Sequence, residues 1–203
     1  MGVIVKRTGM LLIISGPSGT GKGTLVKRLM ENDPSIAFSC SVTTRAPRHG
    51  ETEGIDYHFV DDAEYDRMLA NEEFLEHATV HGHRYGTLKA QVCDLLAKGK
   101  NVLLDIDPQG AIAVMANAKD YVSIFILPPN FSALRVRLHT RNTDDPVEIE
   151  RRLRNARKEV LNINKYQYAV INDDLELAVS QLTSIVNAEK QRTIRFIPTI
   201  LED

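Results

Sequence analysis

The stretch that most restricts what this chain can fold into is nine residues long: "GPSGTGKGT", residues 16–24. The apolar run "MLLIIS" (10–15) stops at Gly16, and an amphipathic run follows in which Leu25, Val26 and Leu29 share one helical face. A buried strand, a glycine-rich turn and a helix in that order form an anion cradle. Gly16, Gly19 and Gly21 permit the tight turn, its N–H groups point inward, and the helix adds its positive end. Lys22 then sets a point charge against the β- and γ-phosphates of a nucleotide. Gly23 stands where Ser or Thr commonly ligates Mg²⁺. Thr24, one residue on, is expected to reach a phosphate oxygen, or the metal through water.

The rest of the chain repeats the strand-then-helix rhythm. Buried-strand patterns recur at 101–107, 121–127 and 168–173, with helical patterns near 87–98, 109–118, 131–140, 146–162 and 174–190. This predicts an α/β fold: a P-loop parallel-sheet core flanked by helices and joined by right-handed crossovers. Residues 36–87 break the rhythm with short β-type runs and one helical pattern at 62–72, and read as a small β-rich insertion. The expected division is a core of 1–35, 88–130 and 158–203, the insertion 36–87, and a helical lid 131–157. The tail "QRTIRFIPTILED" reads only as a packed or frayed terminus.

Composition narrows the partners. With 25 basic and 27 acidic residues in 203, the formal net charge is −2, which argues against nucleic acid as the main partner. The apolar run near the N-terminus is broken by Lys6, Arg7 and Thr8 and is too short to span a bilayer, so no membrane association is expected. Cys40 and Cys93 form no C-x-x-C pair and read as free thiols of a cytoplasmic protein.

Several side chains carry candidate chemistry. Asp105 and Asp107 end the strand "LLDID", where a carboxylate either caps a turn or meets metal or substrate. Arg45 and Arg48 flank a proline turn, and two guanidinium forks so placed can converge on one phosphate, with Tyr57 and Tyr85 as added donors. A solvated basic turn with core tyrosines fits that pattern equally well. Arg137, Arg141 and Arg152 lie among helical positions around "NTDDP", where a flap could close over the loop and neutralise transferring charge. Glu76 offers a carboxylate for the N1–H and N2–H₂ edge of guanine, which adenine lacks. The spacing of His77, His81 and His83 superficially suggests a metal, but no cysteine or H-E-x-x-H accompanies it. The D-x-x-G of "DPQG" is weak, and "NKYQ" lacks the aspartate of a guanine-reading N-K-x-D, so a regulatory GTPase is disfavoured.

Over about residues 10–190 the chain resembles the guanylate kinase family. The likeness rests on "GPSGTGKGT", "SVTTRAPRHGE", "GIDYHFV", "EEFLEHA", "RYGT", "LLDIDPQG", "FILPP" and "VINDDL", in that order. It implies Mg²⁺-dependent transfer from ATP to GMP, with the insertion as the GMP-binding domain. By this resemblance Gly16, Pro17, Ser18, Gly19, Thr20, Gly21, Lys22, Gly23 and Thr24 hold ATP phosphates, with Asn172 on the adenine side. Arg45, Arg48, Tyr57 and Tyr85 hold the GMP phosphate, and Ser41, Glu76, Thr87 and Asp105 surround the guanine. Arg137, Arg141 and Arg152 are the lid arginines that act with Lys22 in catalysis. Asp107 is the candidate metal-side carboxylate, acting through water. A glycine after the loop lysine is familiar among nucleoside monophosphate kinases. His83-Arg84 and Pro108 depart from many relatives, and Pro108 bears on the geometry after Asp107. A peptide-binding scaffold and a kinase of another monophosphate, such as AMP, are the competing readings. Self-association into a homo-oligomer is compatible with the chain.

Overall fold

The computed structural model describes residues 3–80, 82–140 and 146–200, with the side chains of 3–7 and 200 undescribed. The chain begins with β1 (Val3–Arg7) and β2 (Leu11–Ser15), turns through the phosphate loop, and enters α1 (Lys22–Asn32). Three short strands follow: β3 (Ile36–Phe38), β4 (Ser41–Thr43) and β5 (Tyr57–Phe59). Next come α2 (Asp62–Ala70), β6 (Phe74–Val80), β7 (His83–Leu88), α3 (Lys89–Ala97), β8 (Asn101–Asp105) and α4 (Pro108–Asn117). The chain ends with β9 (Val122–Leu127), α5 (Phe131–Thr140), α6 (Pro146–Val160), β10 (Tyr168–Ile171), α7 (Leu175–Lys190) and β11 (Phe196–Ile200).

The core sheet is parallel, in the order β10-β9-β2-β8-β3. Its central strand β2 is buried at every residue, and alternate side chains serve opposite faces. Leu12 and Ile14 pack with Leu25 and Leu29 of α1 and Leu182 of α7, whereas Leu11 and Ile13 pack with Val92 of α3 and Val114 of α4. A strand covered by helices on both faces needs a continuous apolar run, which is what 11–14 supplies. The carboxyl ends of β2, β8 and β10 therefore emerge on one side, at the phosphate loop, Asp105 and Asn172.

Residues 36–38 were expected in the insertion but pair with β8 in the core sheet. Three residues are too few for periodicity to reveal. The insertion's own sheet, β5-β4-β7-β6, begins at Ser41 and is closed by a small core of Val42, Tyr65 and Phe74. The α5–α6 pair has a separate core of Leu134, Leu138, Ile149, Leu153 and Ala156. Within the tail, β11 pairs antiparallel with β1. Arg195, 2% exposed, anchors it by reaching Asp120 at 2.6 Å and Glu189 at 2.5 Å. Among the described residues, no helix is long and apolar enough to cross a membrane.

Candidate functional site

One cleft of about 260 Å³ lies between the core and the insertion. Its wall includes Gly16, Ser18 to Gly23, Ser41, Arg48, Tyr57, Glu76, Tyr85, Asp105, Asp107 and Arg152. Residues as far apart in the chain as Gly16 and Glu159 thus meet, because the strand ends and the insertion's sheet open toward each other.

The loop's geometry is backbone-driven. Gly21 caps α1 in the left-handed region at φ 86°, and a Cβ there would sit 2.5 Å from Asn172 Nδ2. Gly16, at φ 144°, passes so close to β9 that a Cβ would meet the Ile126 carbonyl oxygen at 2.2 Å. Both positions therefore need glycine. Gly23 does not: its Cβ position is open, so no packing requirement explains the absent hydroxyl. Lys22 Nζ donates back to the Gly16 carbonyl at 2.6 Å and to Pro17 at 3.4 Å. Thr20 is buried and its hydroxyl donates to the Pro17 carbonyl at 2.9 Å, while Thr24 is exposed at the helix start.

Asn172, 6% exposed, donates Nδ2 to the Thr20 carbonyl at 2.7 Å. The Arg137 guanidinium donates to the Asn172 carbonyl at 2.8 Å and to the Thr20 carbonyl at 3.5 Å. Arg137 is thus turned onto the backbone beneath the loop and does not line the cleft, where Arg152 does. Leu134 and Leu138 of α5 lie under Gly19, where a Cβ would come within 2.8 Å of Leu138 Cδ2. Arg152 Nε donates to Glu148 at 3.2 Å, and Arg151 with Arg152 holds that carboxyl down at about 2. Arg141 and His81 lie outside the described residues.

In the insertion, Arg45 is buried and its NH2 donates to both oxygens of Glu51, at 2.8 and 2.9 Å. Glu51 Oε2 also accepts the Arg48 backbone N–H at 2.7 Å, so one carboxylate fixes the turn that carries both arginines. Pattern reading had left Glu51 without a role, although it closes the "RHGE" run. The Arg45 guanidinium lies 5.3 Å from the centroid of the Tyr57 ring, which meets Tyr85 edge-on at 6.0 Å. Burial pushes the Tyr57 hydroxyl up to about 12, helped by Asp105 and Tyr85. The Tyr57 hydroxyl therefore remains a donor at neutral pH.

Glu76 reaches the cleft floor from β6, just past a bulge in its pairing with β7, an irregularity that can re-aim a side chain. It is 6% exposed, and Oε1 accepts the Thr87 hydroxyl at 2.7 Å. Burial pushes its carboxyl up to about 7; the Thr87 bond opposes this and nearby Asp107 adds to it. Asp105 is also raised by burial, with Lys22 pulling the other way. Asp107 caps α4, its two oxygens accepting N–H groups of Gln109 at 3.0 Å and Gly110 at 3.3 Å.

Glu159, on the last turn of α6, also lines the cleft, and nothing in its sequence context singled it out. Burial raises its carboxyl, with Lys22 opposing and Asp107 adding. Nearby, the buried Ser15 Oγ and Tyr166 hydroxyl find no hydrogen-bond partner among the described residues. His77 and His83 are exposed, and no group of three or more metal-ligating side chains is found among the described residues.

Comparison with known proteins identifies the family. A family model described as guanylate kinase matches residues 8–189. A guanylate kinase of Clostridium perfringens is 46% identical over 194 residues, covering 96% of this chain and 90% of its own. The crystal structure of guanylate kinase from Anaplasma phagocytophilum superposes with a TM-score of 0.81 at 37% identity, covering 96% of this chain and 93% of that one. The SH3-kinase fragment of tight junction protein 3 shares the fold alone, at 14% identity and a TM-score of 0.51; it is matched over 98% of this chain and 64% of its own. With a family model spanning nearly the whole chain and relatives this similar, the chain belongs to the guanylate kinase family.

Proposed function

We propose that this chain transfers the γ-phosphoryl group of ATP directly to GMP, reversibly, giving ADP and GDP. The observation that carries this reading is the single cleft in which the phosphate loop and Lys22 face Glu76, Tyr57 and Arg48 of the insertion. Two polyanions must be brought together there, their repulsion cancelled and water excluded. The loop N–H groups and Lys22 hold the ATP phosphates, and Lys22 exchanges its loop-carbonyl bonds for phosphate oxygens. Arg45, Arg48, Tyr57 and Tyr85 take the GMP phosphate. Glu76 accepts from the guanine edge, with Ser41, Thr87 and Asp105 around the ring. The acceptor is already an anionic phosphate oxygen, so the reaction needs no histidine base and no covalent intermediate.

Arg152 and Arg141 neutralise the transferring group, and Arg137 with Asn172 shapes the ATP side. The residues fit a magnesium ion that arrives with ATP: Asp107 and Glu159 offer carboxylates, and the described residues form no three-ligand cage. The two carboxylates would hold it through water, and the ion would supply charge neutralisation at the β- and γ-phosphates. The insertion from Ser41 and the α5–α6 pair are the parts expected to close on substrate. The free thiols, buried Cys40 and exposed Cys93, suit a cytoplasmic setting.

The test is coupled ADP release with Mg²⁺ and ATP, offering GMP, dGMP, AMP, CMP and UMP side by side. GMP-dependent turnover with little from AMP, CMP or UMP supports the reading. Turnover with AMP would replace it by another monophosphate kinase, and GMP binding without turnover by a binding scaffold.

A further inference from the structure

Gly110 sits in the first turn of α4, where helix formation alone favours alanine. A glycine there calls for a packing reason, and the structure supplies one. A Cβ on Gly110 would lie 2.4 Å from Glu76 Oε2, 3.0 Å from Glu76 Cδ and 3.2 Å from Asp107 Oδ1. The missing methyl is thus the space into which the Glu76 carboxylate projects. Glu76 is pinned on its other side, where Oε1 accepts the Thr87 hydroxyl. The Gly110 N–H is turned to Asp107. Oε2 therefore packs against Gly110 without being bonded to it.

We infer that Gly110 is a specificity-positioning residue: its bare Cα sets how far the Glu76 carboxylate can retreat, and so the register in which that carboxylate meets a guanine base. This rests on the reading of Glu76 given above. A methyl at position 110 would push Oε2 by roughly 1 Å to reach an ordinary carbon–oxygen contact. The helix gains from the change and the phosphate loop lies elsewhere, so the displacement falls on the flexible end of Glu76. A misplacement of that size at a binding group costs on the order of 10- to 100-fold.

The experiment is steady-state kinetics of Gly110→Ala with GMP, IMP (which lacks the 2-amino group) and AMP, alongside thermal melting. The expected result is a KM for GMP raised about 10-fold or more. The GMP-over-IMP preference should shrink, the KM for ATP should hold, turnover at saturating GMP should be largely kept, and the melting temperature should be unchanged or higher. Glu76→Asp, which shortens the side chain, should raise the KM for GMP in the native background. In the Gly110→Ala background it should cost little more, or restore binding, because the shorter carboxylate clears the methyl. Unchanged GMP parameters in Gly110→Ala would overturn the inference. So would simple multiplication of the two effects, or parallel losses for ATP and GMP with a lower melting temperature. Glu76→Gln is the control: if it leaves the GMP-over-AMP preference intact, the reading of Glu76 itself fails.

Discussion

The Arg137 guanidinium donates at 2.8 Å to the backbone carbonyl of Asn172, whose own side-chain amide donates at 2.7 Å to the carbonyl of Thr20. Helix α5, the end of β10 and the phosphate loop are thereby tied at one point. An arginine that the family resemblance assigns to the transferring phosphate is, in this state, bonded to the loop proposed to receive ATP.

Arg137→Ala should accordingly act first on the ATP side. It removes charge-assisted bonds worth about 1.5–3 kcal/mol each and leaves the Asn172 carbonyl without this donor. The expected outcome is a KM for ATP raised at least about 10-fold, a lower melting temperature and an unchanged KM for GMP. Arg137→Lys should recover little, since lysine lacks the planar fork whose two nitrogens reach the Asn172 and Thr20 carbonyls. Initial-rate kinetics varying each nucleotide in turn decide this; a defect confined to turnover would show that Arg137 acts only on the transferring group.

Lys22→Ala removes the side chain that, among the described residues, bridges the loop carbonyls of Gly16 and Pro17 in this state. The loop's shape is set by glycine backbone and by Thr20, so the fold should survive with little change in melting temperature. Turnover should fall by roughly 100-fold or more, the scale for removing one preorganised transition-state donor, while the KM for GMP moves little. Rates compared at saturating ATP and GMP are the check, and near-normal turnover would contradict the assigned role.

Legibility in the sequence followed the range of the interactions. The phosphate loop was readable because strand, glycines, lysine and helix are contiguous, and local backbone chemistry dictates their geometry. The parallel core was readable from four apolar runs separated by helical patterns. Glu51 was not, because its meaning comes from Arg45 folding back over six residues. Glu159 was not, because a glutamate on a basic helix looks solvated until the helix is seen to face the cleft. The tail was opaque for the same reason: Arg195 finds Asp120 seventy-five positions away, and β11 pairs with a strand at the other end of the chain. Gly110 read only as the glycine of a weak D-x-x-G match and of the "LLDIDPQG" stretch until the carboxylate beside it was placed.

Glu51→Ala tests the turn that carries Arg45 and Arg48, the arginines proposed to take the GMP phosphate. The Arg45–Glu51 pair is largely buried, with side chains 9% and 19% exposed. Removing its anionic half strands a buried guanidinium and is expected to cost about 3 kcal/mol. It also frees the Arg48 N–H and loosens the turn. The KM for GMP should rise about 10-fold or more at unchanged KM for ATP, and amides of residues 44–52 should exchange faster with solvent. Equal effects on both nucleotides would mean that the insertion had unfolded as a whole.

The carboxyl of Glu76 titrates at about 7, against 4.5 for the ordinary group, chiefly because it is buried. A guanine edge offers donors, so it binds the carboxylate form. The KM for GMP should therefore fall as pH rises from 6 to 8, while the KM for ATP follows no such curve. Stability runs the opposite way. The folded state holds this proton more tightly than the unfolded chain, so stability is unpenalised below about 4.5, declines between 4.5 and 7, and carries the whole penalty above 7. The shift corresponds to up to about 3 kcal/mol. Glu76→Gln keeps the shape and removes the charge, so it should raise stability at pH 8 by a sizeable part of that amount and have little effect at pH 4.5. Denaturant melts of both proteins at the two pH values measure the difference directly. A gap that does not widen with pH would show that Glu76 is not held neutral by its site. The same substitution should abolish the preference for GMP, so that a residue which costs the fold stability at neutral pH would also choose the base.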